Sequence, residues 1–112
     1  VAVSDPARPG IMAYDVKEDG TAENGRVFFN AAPLAPGRKG LPDGLKVDQA
    51  GNVFATGPGG VLVIAPEGKH LGTINTEHAT ANCGWGDDGS SLYITADYYL
   101  CRVKTTTRGK GF

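Results

Sequence analysis

The apolar residues of this chain fall in short runs, each stopped within a few positions by glycine, proline or a polar turn, and no stretch keeps the spacing of an amphipathic helix. Val53-Phe54-Ala55-Thr56 reads as a short strand, entered from the tight turn Asp48-Gln49-Ala50-Gly51-Asn52 and ended by Gly57-Pro58-Gly59-Gly60. Val61-Leu62-Val63-Ile64 is apolar throughout, which predicts a strand covered on both faces. Pro66-Glu67-Gly68-Lys69 turns the chain again, into His70-Leu71-Gly72-Thr73-Ile74. Four short strands therefore fit between residues 44 and 75.

The pattern recurs. Sliding the chain along itself by 39 residues places Asp48 on Asp87, Phe54 on Tyr93, Thr56 on Thr95, and Val61-Leu62-Val63-Ile64 on Leu100-Cys101-Arg102-Val103. The second copy predicts strands at 83–87, 92–95 and 100–104. Going backward, Val1-Ala2-Val3-Ser4 matches Val53-Phe54-Ala55-Thr56 as a second strand, Ile11-Met12-Ala13-Tyr14-Asp15 reads as a third, and Arg26-Val27-Phe28-Phe29 as a fourth. Strands two to four, one to four and one to three are the content of about two blades of a β-propeller, spread over blade parts 1–32, 41–76 and 80–106. The expected class is all-β. A blade cannot bury both faces by itself, so the missing strands are expected from upstream sequence or from other copies of the chain.

Composition supports this and narrows the partners. A chain of 112 residues, 40% hydrophobic, suffices for one packed domain, and 17 glycines with 7 prolines suit many strands joined by tight turns. Eleven basic and 12 acidic residues are mixed along the chain for a net charge of −1, which leaves no electrostatic footprint for nucleic acid or an anionic membrane. Lys104, Arg108 and Lys110 cluster near the end and read as a solvated C-terminal tail. No apolar run approaches the ~20 residues of a membrane helix, and Val1-Ala2-Val3-Ser4-Asp5 has neither the basic start nor the long apolar stretch of a signal peptide. It also lacks a Met, so the expectation is a soluble, trimmed or partial chain, cytoplasmic or periplasmic, with the compartment left open. Cys83 and Cys101 are the only cysteines, lie outside any CxxC or Cys/His metal spacing, and read as two buried free thiols, with a disulfide between them as the main alternative.

The candidate chemistry centres on Asp43. Pro42 before it fixes its own φ and lacks a donor, and Gly44 after it tolerates unusual φ and ψ, so the carboxylate is displayed at a strand entrance. The bland alternative is a turn aspartate capping its own backbone. Taken together, Leu41-Pro42-Asp43-Gly44, Asn52-Val53-Phe54-Ala55-Thr56-Gly57-Pro58-Gly59-Gly60-Val61, Pro66-Glu67-Gly68-Lys69, Thr80-Ala81-Asn82-Cys83-Gly84-Trp85-Gly86 and Leu92-Tyr93-Ile94-Thr95-Ala96 resemble the senescence marker protein 30, gluconolactonase and luciferin-regenerating enzyme family over nearly the whole chain. Ser4-Asp5-Pro6, Tyr14-Asp15-Val16 and Asp19-Gly20-Thr21 are similar to bacterial gluconolactonases of that family.

The resemblance implies a six-bladed propeller with a divalent cation, often calcium, in its channel, and hydrolysis of sugar lactones to aldonic acids. Asp43 would then be a metal ligand and the carboxylate that accepts a proton from water. The family's Glu and Asn ligands have no counterpart in these residues, and members commonly close the last blade with a strand from the N-terminus. Asn82, just before an expected inner strand, is the candidate contact to substrate, against the alternative of a strand-entry asparagine. With one ligand, the chain alone is expected to bind calcium negligibly and hydrolyse little. A catalytically silent propeller segment, acting as an interaction or structural module, is the competing reading.

The remaining candidates carry less. His70 starts an outer strand and His78 lies in a loop, and neither has a patterned Ser or Cys partner for nucleophilic catalysis. Trp85 reads as core, Tyr98 and Tyr99 as rim residues. Gly57-Pro58-Gly59-Gly60 joins two strands with no helix after it, so it is a hairpin and not a phosphate loop.

Overall fold

A computed structural model describes residues 1–112. Ten strands form three antiparallel sheets, with a single 3-10 turn at Ala32–Leu34. The first sheet holds β1 (Ala2–Val3), β2 (Gly10–Val16) and β3 (Ala22–Asn30); the second holds β4 (Leu45–Val47), β5 (Val53–Gly57), β6 (Gly60–Ile64) and β7 (His70–Asn75); the third holds β8 (Thr80–Gly86), β9 (Ser91–Ala96) and β10 (Tyr99–Lys104). Each sheet is a meander in chain order. The expected partition of three, four and three strands is the observed one, and the propeller blade is the architecture it builds.

Two cores, one on each face of the second sheet, hold the three together. Ala55, Leu62 and Ile64 point to one side and meet Ile11 and Ala31, with Phe28, Phe29 and Leu34 around them. Phe54 and Val61 point to the other and meet Cys83, Leu92 and Ile94 of the third sheet. Because successive strand residues face opposite ways, β6 must be apolar at every position to serve both cores, which is why Val61-Leu62-Val63-Ile64 shows no alternation. Leu62 and Ile64 alone would release about 3–6 kcal/mol on burial.

The internal repeat is visible as register. Val53 pairs with Ile64 and Thr56 with Val61, while 39 residues on Leu92 pairs with Val103 and Thr95 with Leu100. The hairpin at 57–60 closes Gly57 on Gly60 with Pro58 and Gly59 between them; Gly59 has φ +91°, a conformation that suits glycine after proline in a tight turn.

Three expectations change. The strand expected at 26–29 runs from Ala22, because Lys17–Glu23 and Asp15–Arg26 ion pairs at 3.1 Å accompany the pairing of an exposed, polar half-ribbon that carries no apolar signal. The strand expected to start at Cys83 begins at Thr80 and ends at Gly86, leaving Asp87 in the following turn with φ +58°. The C-terminal segment is tied down in its backbone, although its lysines and arginine are exposed. Gln49 N donates to Arg108 O at 2.8 Å, Lys110 N to Val47 O at 2.9 Å and Gly109 N to Gly89 O at 2.9 Å, so the segment laces the second and third sheets together.

Asp48 anchors that lacing. It is 1% exposed and accepts from Asn52 N, Asn52 Nδ2 and Thr107 Oγ1 at 2.8–2.9 Å. Burial opposes its ionisation, but the hydrogen bonds from Asn52, Thr107 and the Ala50 backbone outweigh it, and the carboxyl sits below its ordinary value.

Candidate functional site

The entrances of β4 and β8 lie side by side. Gly44 N donates to Ala81 O at 2.9 Å, and a groove of about 570 Å3 runs along this edge, lined by Ser4, Gly40, Leu41, Asp43, Ala79, Thr80, Ala81, Thr95 and Asp97. Asp43 is exposed in it, and no hydrogen-bond donor or cation pairs with its carboxylate. The turn-capping alternative is thereby removed: the side chain does not cap its own backbone.

A buried residue holds the Asp43 turn. Thr56, 0% exposed, accepts from Asp43 N at 3.2 Å through Oγ1, and its hydroxyl proton faces Gly44 O and Ala81 O, each at 3.3 Å. Its own amide donates to Gly44 O at 2.9 Å. Gly44 does not adopt a left-handed φ, so its glycine is required for space and not for conformation. A Cβ there would run into Asn82 Oδ1 and Cγ and lie 2.9 Å from Asn82 Cα.

Asn82 thus belongs to the same place. It lies inside β8 and not before it, which corrects the expected strand entry. Its Oδ1 accepts from Cys83 N at 2.8 Å; because an amide N–H needs an acceptor, this fixes which end of the side chain is oxygen and leaves the Nδ2 donors free. Its backbone N donates to Thr95 Oγ1 at 3.1 Å, as Asp43 N donates to Thr56. Asp43 and Asn82 are therefore equivalent positions of successive blades. The repeat distance of 39 residues relates them and also relates Thr56 to Thr95, so the sequence contained the signal that would have joined the pairs.

Sequence reasoning also passed over Asp97. It sits at φ +50° in the turn between β9 and β10, donates its N–H to Ala79 O at 3.0 Å and pairs its Oδ2 with His78 Nδ1 at 3.2 Å. Tyr99 tilts against the His78 ring at 4.9 Å, and Tyr98 is 98% exposed, so both tyrosines are rim residues as expected. His70 begins β7 as expected, with Nε2 3.0 Å from Thr73 Oγ1, outside this groove.

The thiols are not a reactive pair. Cys83 is 5% exposed, donates to Phe54 O at 3.5 Å, and burial pushes it up to about 11; Cys101 is free but only half-buried, not fully buried as expected. Trp85 stacks edge-on to Phe54 at 4.9 Å and donates Nε1–H to Val47 O at 3.1 Å, between the second and third sheets.

The donor chemistry suits a hard, oxygen-seeking cation, since the groove offers an unpaired carboxylate with the Ser4 and Thr95 hydroxyls nearby. The number of donors falls short: no group of three His, Cys, Asp or Glu side chains converges anywhere in the chain. Asp43 fits as one ligand of a site that these residues do not complete.

Three antiparallel meanders repeating at 39 residues define a β-propeller segment, with the Asp43 carboxylate unpaired at one edge. The chain belongs to the SMP-30/gluconolactonase/LRE-like family, whose model matches residues 2–98. It is 37% identical to a gluconolactonase of Zymomonas mobilis over 97% of this chain and 32% of that protein. It is 39% identical to a pentonolactonase of Haloferax volcanii over 76% of this chain and 30% of that protein. Among solved structures it is similar to a gluconolactonase from Xanthomonas campestris, with a TM-score of 0.72 and 29% identity over 85% of this chain and 30% of that one. The chain spans about a third of the length of the relatives it matches. No helix is long and apolar enough to cross a membrane.

Proposed function

We propose that this chain forms part of a metal-dependent hydrolase of sugar lactones, completed by further propeller blades from the same protein or from other copies. The observation that carries the reading is the Asp43 carboxylate, exposed and unpaired over the groove while its backbone is fixed by the buried Thr56 hydroxyl, in a chain of this family.

A divalent cation such as Ca2+, held through Asp43 and ligands outside these residues, would polarise the lactone carbonyl and acidify water beside it. In this reading Asp43 is also the base: as the water oxygen bonds to the carbonyl carbon, a carboxylate oxygen takes its proton. The C–O bond of the ring then breaks, the ring oxygen leaves as a hydroxyl by recovering that proton, and the products are an open-chain aldonate and one proton released to solvent. Asn82 Nδ2, free to donate, hydrogen-bonds a substrate oxygen and orients the ring above Asp43.

In the complete protein, Asp43→Ala is expected to lower kcat/KM for gluconolactone by about 100-fold or more, in line with loss of a general base. Its unfolding free energy should change by no more than about 0.5 kcal/mol, because the carboxylate is exposed and unbonded. Hydrolysis and divalent-ion dependence unchanged in Asp43→Ala would sink the reading and leave the chain as a silent structural module.

A further inference from the structure

We infer that Thr56 is a positioning residue that sets Asp43 and Asn82 jointly, as the middle link of a hydrogen-bonded belt passing from sheet to sheet around the channel; the functional side of this rests on the site reading of those two residues. The peptide unit before each site residue is gripped at both ends by hydroxyls of different sheets. For the Pro42–Asp43 peptide, Ser4 Oγ of the first sheet's edge donates to Pro42 O, and Asp43 N donates to Thr56 Oγ1 at 3.2 Å. For the Ala81–Asn82 peptide, Thr56 Oγ1 shares its proton between Ala81 O and Gly44 O, each at 3.3 Å, and Asn82 N donates to Thr95 Oγ1 at 3.1 Å. Ser4, Thr56 and Thr95 each end a second strand or lie one residue from its end, and Pro42 and Ala81 are one repeat of 39 residues apart.

The belt therefore reads Ser4 hydroxyl, Pro42–Asp43 peptide, Thr56 hydroxyl, Ala81–Asn82 peptide, Thr95 hydroxyl. Thr95 Oγ1 donates to Asn82 O at 3.3 Å, as Thr56 Oγ1 faces Gly44 O of its own sheet at 3.3 Å. Hydrogen bonds in series polarise one another, and each peptide so held has its plane fixed, which fixes the direction in which Asp43 or Asn82 leaves the backbone. Thr56 alone touches both peptides. Its hydroxyl is the element that converts the packing of two sheets into a fixed relation between two side chains.

The test uses Thr56→Ser, Thr56→Val and Ser4→Ala in the complete protein, reading amide hydrogen exchange at Asp43 and Asn82, affinity for Ca2+ by titration, and kcat/KM for gluconolactone. Thr56→Val removes the hydroxyl at nearly constant volume and should speed exchange at both amides at least tenfold, with weaker Ca2+ binding and lower kcat/KM. Thr56→Ser keeps the hydroxyl and should stay within about twofold of wild type. Ser4→Ala, at an exposed position that does not threaten folding, should speed exchange at Asp43 and leave Asn82 less affected. Exchange at Asn82 unchanged in Thr56→Val, or Thr56→Ser no better than Thr56→Val, overturns the belt. A wild-type protein that neither binds Ca2+ nor opens lactones refutes the site reading instead, while the exchange pattern still decides the belt.

Discussion

Gly44→Ala tests whether the Pro42-Asp43-Gly44 turn keeps its glycine for space. The new Cβ would overlap Asn82 Oδ1 and Cγ and approach Asn82 Cα to 2.9 Å, closer than real Cβ atoms come. The side chain of Asn82 can swing aside only by giving up its bond to Cys83 N, a loss of about 0.5–1.5 kcal/mol. The approach to Cα cannot be relieved by rotation and forces β4 and β8 apart, an overpacking cost of about 1–3 kcal/mol. The expected total is about 2–4 kcal/mol, read from urea unfolding as a lowered midpoint at constant m. The same substitution in an Asn82→Ala background should cost about 0.5–1.5 kcal/mol less, because Oδ1 and Cγ are gone and only the Cα approach remains. Equal costs in the two backgrounds would refute the steric account, and so would a cost below about 0.5 kcal/mol in the wild-type chain. A glycine kept for left-handed backbone would give that equality; Gly44 is not in that region.

Three further outcomes follow from buried groups. Asp48 has a carboxyl lowered in the fold, so its contribution to stability is complete above the unfolded value of about 3.9 and disappears as pH falls through the lower folded value. The stability gap between wild type and Asp48→Asn should therefore narrow below about pH 4, while both proteins share the acid sensitivity of the exposed carboxylates Asp15, Asp19, Asp87 and Asp88; a gap constant from pH 6 to 2 contradicts the assignment. Cys101 should react with a thiol reagent at pH 8 in the folded protein while Cys83, buried and pushed up to about 11, waits for unfolding; equal labelling rates by mass spectrometry would show the second core to be open. Leu62→Ala should cost about 2–5 kcal/mol in denaturant unfolding, since Leu62 is 0% exposed between the first two sheets, and a loss under 1 kcal/mol would mean that core is not formed.

Strand order was legible because burial writes itself into sequence where a strand faces a core. Val61-Leu62-Val63-Ile64 announced its two covered faces, and the flanking Gly-Pro and Glu-Gly turns set its limits. The outer half of β3 was silent, since Ala22, Glu23 and Asn24 are exposed and pair through backbone bonds and surface charges that follow no period. Asp43 was legible as a displayed carboxylate, but its support was not. Thr56 looks like any β-branched strand residue until its hydroxyl is seen between two peptides, and Gly44 looks like a turn glycine until Asn82 is seen above it. The His78–Asp97 pair spans loops that only the blade topology brings together. The C-terminal lacing failed to show because backbone bonds from Gln49 and Lys110 carry it, and these are blind to side-chain identity.

The distribution of side chains also accounts for the shape of the site. The second and third sheets each hold one repeat-equivalent residue by a threonine hydroxyl of the same sheet: Asp43 just before β4, and Asn82 within β8. The inner strands β5 and β6 of the second sheet are committed to the two cores on its faces. A hard cation wants about six to eight oxygens, and a ring with one inward donor per blade can gather them only from several blades and from water. No three metal-capable side chains converge among these residues; on the proposed function Asp43 would be one ligand and the others would come from further blades. Divalent-ion affinity, on the proposed function, is thus a property of ring closure, and the belt through Ser4, Thr56 and Thr95 is the means by which closure at one blade is felt as alignment at the next.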